Sequence, residues 1–205
     1  LTEIDISRFV SRWQDLGLAN KAAQAWHITQ AAEQHVLTLL GRLGSGYRLQ
    51  GNVAVHETAT VEPGAILKGP VVIGPHCFVA SGAYLRGGTY LGSHCIIGPA
   101  CELKSSFMLD GSKLAHFNFV GDSLLGENVN VEAGAVIANY RNEFEGANIT
   151  ILFNQRMIET GVCKFGALVG DGVRIGANAV VAPGALLEPR SIVPRLGLVD
   201  QWGAR

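Results

Sequence analysis

From Val55 onward an aliphatic residue recurs at every sixth position: Val55, Val61, Leu67, Ile73, Val79, Leu85, Leu91, Ile97, Leu103, Leu109 and Ala115. Two positions before many of them stands a small residue, as at Ala59, Ala65, Cys77, Ala83, Cys95 and Cys101. A hexad repeat of this kind predicts an all-β chain wound as a parallel β-helix. Three hexads close one triangular coil of 18 residues, and each coil stacks on the last at about 4.8 Å. The small residues fall where a tight corner leaves little room. The same register returns at Val169, Ile175, Val181, Leu187 and Val193. Together the two stretches predict about six coils.

Two breaks interrupt the pattern. At Ala115 the register slips by two and resumes at Phe119, Leu125, Val131 and Ile137. Residues 138–166 then leave it altogether. They predict one extruded loop, polar over Ala138–Gly146 and with a short strand at Ile149–Phe153. A loop that long on a compact solenoid is usually functional. Residues 1–46 read differently. Ser7–Leu16 and Thr29–Leu43 carry helical spacing, and Gly44 is the expected stop. This helical N-terminal segment is expected to cover the unpaired edge of the first coil, with the β-helix occupying residues 47–205.

Composition narrows the partners. The 205 residues carry 16 basic and 17 acidic side chains, a net charge of −1, so no basic field points to nucleic acid or an anionic membrane. Mean hydropathy is +0.24, yet the longest uncharged stretch is cut by Pro70, Gly74, Pro75 and Gly82 and cannot be a membrane-spanning helix. No secretory leader is recognised, and Cys77, Cys95, Cys101 and Cys163 lack zinc spacing. A cytoplasmic, metal-free protein is the expectation.

Stacking brings polar residues together. Lys68, Arg86 and Lys104 are 18 apart and would form a column of cations, a natural counterpart for phosphate. Pairing with Glu62, Glu102 or Asp122 is the other outcome. His76 and His94 stack likewise without further ligands and read as corner residues, while Cys77 and Cys95 read as interior packing. His116 sits at the expected slip, where a side chain is re-aimed. A neutral imidazole there could serve as general base or as a structural corner residue.

The runs Glu102–Ser106, Gly111–Asp122, Leu125–Gly134 and Ala138–Tyr140 resemble hexapeptide-repeat acyltransferases, specifically the acetyltransferase domain of bifunctional N-acetylglucosamine-1-phosphate uridyltransferases. The later run to Gly170 is similar to archaeal-type sugar-1-phosphate nucleotidylyltransferase/acetyltransferases. The resemblance implies a left-handed helix, a homotrimer, and acetyl-CoA or another acyl-CoA as co-substrate. It implies His116 as base and Glu102 as a carboxylate near it. Asn130, Asn139 and Tyr140 would position the acceptor, Arg86 and Lys104 would hold its phosphate, and the Ala133 N–H would face the thioester carbonyl. Three positions depart from the family pattern. Phe119 stands in place of a Tyr, Glu145 in place of a Lys, and Glu132 in place of a Gly beside Ala133. No Gly-rich nucleotide loop of the family's other half is found.

The sequence therefore supports an acyltransferase acting on an amino-sugar phosphate or nucleotide sugar, with the 138–166 loop closing the site. A non-catalytic trimeric module that binds a sugar nucleotide is the alternative, with Glu132 excluding CoA. A purely structural trimer is the third reading.

Overall fold

The structure, a computed structural model, describes residues 4–18 and 23–201. Residues 1–3, 19–22 and 202–205, which fall within the expected N-terminal and β-helix segments, lie outside the described residues. The chain forms a left-handed parallel β-helix with three faces. Face 1 begins with β2 (Val53–His56) and continues through strands starting at Val71, Thr89, Phe107, Leu124, Ala167 and Ala185. Among the described residues faces 2 and 3 each hold seven parallel strands, which makes seven coils, one more than the spacing predicts. The extra coil comes from shorter turns and from the strand Leu198–Val199, which pairs with Val180–Val181.

The inward row matches expectation from Val55 to Leu103 and then departs from it. Leu103 pairs with Val120, Leu91 with Met108 and Ile97 with Leu114. Met108, Leu114 and Val120 thus fill the interior, not Leu109, Ala115 and Phe119. In place of one slip of two residues at Ala115, two corners between faces 3 and 1 each lose one residue, at Lys104–Phe107 and Gly121–Leu124. The corner one coil lower turns through Gly87 and Gly88, both at positive φ; the shortened ones turn through single residues, Ser105 (φ 48°) and Asp122 (φ 46°). Buried hydroxyls satisfy the backbone there. Ser106 Oγ donates to the Lys104 carbonyl at 2.7 Å and accepts the Ser123 N–H at 3.0 Å. Ser123 Oγ donates to the Gly121 carbonyl at 2.7 Å and accepts the Ala167 N–H at 3.0 Å.

The N-terminal segment does not cover the end of the prism. Its first expected helix is two 3₁₀ turns, Ile6–Arg8 and Trp13–Leu16, and its second divides into α1 (Ala25–Gln30) and α2 (Ala32–Leu40). Helices this short draw their stability from packing. The outward residues of face 1 are apolar (Ala54, Val72, Tyr90, Phe107, Leu124, Leu168), and the segment lies along them as a strap. Its backbone meets Asp171 in coil 6 through Phe9 and Ser11, Trp13 packs edge-on against Phe107 of coil 4, and α2 crosses coils 2 and 3. Gly88 makes that crossing possible, because a Cβ there would collide with the backbone of Ala32 and Glu33. The strand that does cap the prism is β1 (Tyr47–Gln50), antiparallel to β2.

The extruded loop leaves from the same corner as the shortened turns. Its Thr150–Phe153 and Arg156–Glu159 strands form a hairpin. Ile149, Ile151, Val162 and Phe165 join the core beneath the strap, so the loop is anchored at the base of its hairpin and at its return. Arg141, 6% exposed, ties its start to Asp200 at 2.7 Å.

Candidate functional site

Lys68, Arg86 and Lys104 do stack at the margin of face 3, on the register Leu67–Leu85–Leu103. They are not left to repel one another. The Tyr84 ring receives Lys68 Nζ at 5.3 Å and the Arg86 guanidinium at 5.6 Å. Arg86 reaches the Glu102 carboxylate at 2.6 Å, and Lys104 Nζ reaches Asp122 at 2.8 Å.

Above Lys104 the column continues with Gly121. The space its missing side chain leaves is taken by Asn139, for a Cβ there would lie 2.7 Å from Asn139 Nδ2. The result is a cleft of about 500 Å³ lined by Arg86, Lys104, Phe119, Asn139, Tyr140 and Lys164. Both feet of the loop enter it, Asn139 and Tyr140 at the start and Lys164 at the return. The end of the hairpin lies away from it, with Arg8 over the Phe153 ring at 5.8 Å, while the Gly146 N–H donates to the Tyr140 hydroxyl at 3.1 Å beside the cleft. Lys164 is the residue that spacing missed, because the loop brings it in outside the period. Its only signal is its place two residues before Gly166, where the coil resumes.

His116 stands on the edge between faces 2 and 3, exposed to solvent. That corner is regular, so no slip re-aims it. Pro99 lies beneath and Ala133 above: the Phe117 N–H donates to the Pro99 carbonyl at 3.1 Å, and the Gly134 N–H to the His116 carbonyl at 2.9 Å. Buried Asn118 fixes the corner, donating to the carbonyls of Glu132 at 2.7 Å and Ala135 at 3.1 Å. Among the described residues nothing hydrogen-bonds the His116 ring, and the Ala133 N–H has no backbone acceptor. Glu102 is turned to Arg86.

Face 2 carries a second cleft, of about 770 Å³, with Lys113, Asn130, Glu132, Arg174 and Arg195 in its lining. Lys113, Asn130 and Arg174 stack on consecutive coils. Asn130 is therefore on the opposite side of the His116 edge from Arg86 and Lys104. Glu132 accepts two hydrogen bonds from Arg195, each 2.8 Å, and one from the Ala177 N–H at 2.9 Å. These donors, Arg195 first, hold the Glu132 carboxyl below the usual carboxylate range. His76 and His94 stack face to face at 4.7 Å. Among the described residues no three His, Cys, Asp or Glu side chains converge as a metal site, and no helix is long and apolar enough to cross a membrane.

Residues 70–105 match the family model described as bacterial transferase hexapeptide (six repeats). The chain is 30% identical over 203 residues to a bifunctional sugar-1-phosphate nucleotidylyltransferase/acetyltransferase of Sulfurisphaera tokodaii, covering 94% of this chain and 49% of that protein. It is 37% identical over 194 residues to a bifunctional protein GlmU of Methanococcus maripaludis, covering 92% of this chain and 44% of that one. The chain thus spans about half the length of the curated relatives it matches. A perosamine N-acetyltransferase from Caulobacter crescentus, solved with CoA and GDP-perosamine, shares 17% identity over 75% of this chain and 55% of that chain, at a TM-score of 0.27, a likeness that carries no functional weight.

Proposed function

This chain belongs to the hexapeptide-repeat transferase family, and we propose that it moves an acyl group from acyl-CoA, acetyl-CoA first, to an amine or hydroxyl of an amino-sugar phosphate or nucleotide sugar. One observation carries the reading. Two cation-bearing clefts, on faces 3 and 2, flank the single edge that exposes His116. Each co-substrate carries phosphate, and each cleft offers cations to it.

In this reading the face 3 cleft takes the acceptor phosphate with Arg86, Lys104 and Lys164, while Asn139 and Tyr140 orient the sugar. Lys164 supplies a cation where Glu145 stands in place of the family's Lys. Lys68, one coil below, adds its field. The acyl-CoA lies along face 2 past Asn130, with the Ala133 N–H turned to the thioester carbonyl. His116 takes the proton of the acceptor as its nitrogen or oxygen bonds to the carbonyl carbon; the carbon–sulfur bond then breaks and the thiolate leaves with a proton. Glu102 acts through Arg86, fixing the guanidinium. A homotrimer in the cytoplasm accords with this arrangement, since a neighbouring prism would bring the two clefts against one another.

His116→Ala, assayed for CoA release from acetyl-CoA with glucosamine 1-phosphate as acceptor, is expected to lose about 10²-fold or more in kcat. An unchanged rate overturns the mechanism. The clasp between Glu132 and Arg195 favours a second reading, a non-catalytic sugar-nucleotide binder, because it occupies the face 2 cleft with a carboxylate. Calorimetry separates the two: binding of UDP-N-acetylglucosamine with no binding of acetyl-CoA selects the second.

A further inference from the structure

Asp122 occupies the second shortened corner, directly after Gly121 and behind the face 3 cleft. Its side chain is 7% exposed. One carboxylate oxygen accepts hydrogen bonds from Lys104 Nζ, at 2.8 Å, and from Asn139 Nδ2. Its backbone N–H donates to the Lys104 carbonyl at 2.8 Å, and its carbonyl accepts the Gly166 N–H at 2.9 Å. The Phe165 N–H closes the circle by donating to the Asn139 carbonyl at 3.0 Å. Side chain and backbone of one residue therefore hold a cation of the cleft, an amide of the cleft, and both feet of the loop.

We infer that Asp122 is the positioning residue of the acceptor-phosphate site, setting the Lys104 ammonium and the Asn139 amide in the geometry that receives phosphate. The inference rests on the acceptor cleft proposed above. Lys104 without Asp122 is a charge on a flexible four-carbon stem. Held at 2.8 Å by a nearly buried carboxylate, it is fixed before the ligand arrives, so no ordering is left to pay at binding. The shared oxygen makes the two donors move together. A merely structural ion pair would stabilise the corner without influencing what the cleft binds.

The test uses the whole chain and the variants Asp122→Asn, Lys104→Met and the pair combined. Inorganic phosphate binding is followed by calorimetry, and kcat and KM are measured for glucosamine 1-phosphate and acetyl-CoA. Asp122→Asn is expected to raise both the phosphate Kd and the acceptor KM by about tenfold, with the acetyl-CoA KM held within about twofold. In the Lys104→Met background it should add less than it costs in the parent, only the part that passes through Asn139. Unchanged phosphate affinity, or fully additive losses, overturns the inference. A parent chain that binds phosphate but releases no CoA sinks the transferase reading and leaves Asp122 to be judged by the binding arm; a parent that binds no phosphate sinks the inference itself. If melting shows Asp122→Asn unfolded, Asp122→Glu keeps the charge but displaces the ammonium, and unchanged phosphate affinity in it is equally decisive.

Discussion

Asn118 shows how much one buried side chain carries here. At 2% exposure its amide feeds the carbonyls of Glu132 and Ala135, joining the corner that presents His116 to the corner above. Asn118→Ala removes both bonds, leaving the Glu132 carbonyl only the long 3.4 Å bond from the Ala135 N–H, and should cost about 1–3 kcal/mol in thermal or denaturant unfolding. Glu132 supplies a pH prediction. Its folded pKa lies below the unfolded value, so the clasp to Arg195 contributes above the ordinary carboxylate range and is lost only as pH falls through the lower folded pKa. A carboxyl titration followed by NMR should place the Glu132 midpoint below those of the unpaired glutamates. At this scale the sequence was legible wherever stacking is strict: Lys68, Arg86 and Lys104 keep their spacing because every corner between Lys68 and Lys104 is full. It failed at Met108-Leu109, Leu114-Ala115 and Phe119-Val120, where adjacent apolar residues fit the interior in either frame. A single missing corner residue then selects the other member of each pair.

Strap and hairpin act as one element pair. Trp26, 4% exposed, stands edge-on to Phe165 at 6.1 Å, and Phe165 lies between Lys164 of the cleft and Gly166 of the coil. Truncating Trp26 to Ala should cost about 3–5 kcal/mol in melting experiments. It should also raise the acceptor KM more than the acyl-CoA KM, because the loosened foot is the one that carries Lys164; equal changes in both would refute the linkage. The spacing revealed the loop as a departure from period six. It could not reveal the hairpin's attachment, since Ile149, Ile151, Val162 and Phe165 find partners in a segment more than 100 residues earlier. Nor did it place the strap on face 1, although the apolar outward residues Val72, Tyr90 and Phe107 were the available signal.

For the whole molecule, the strap covers face 1 and leaves faces 2 and 3, where the two clefts lie, open. Val180 and Leu198 stack as exposed apolar neighbours on the last coils, and Leu196, 80% exposed, stands at the corner just before them. Leu198→Asp is expected to convert a trimer into a monomer by light scattering and to abolish CoA release; a monomeric parent chain would refute the assembly. The clamp of Ser11 and Phe9 on Asp171 has a consequence for folding order. Coils add one upon another through contacts 17 or 18 residues apart, or 44 where the extruded loop intervenes, each coil resting on its neighbour. The strap bridges 160 residues at Ser11. The strap is therefore made well before its landing place on coil 6. Phe9, Val10 and Trp13 must wait unsheltered while the coils that receive them are made, making the strap the described segment with most to gain from a chaperone.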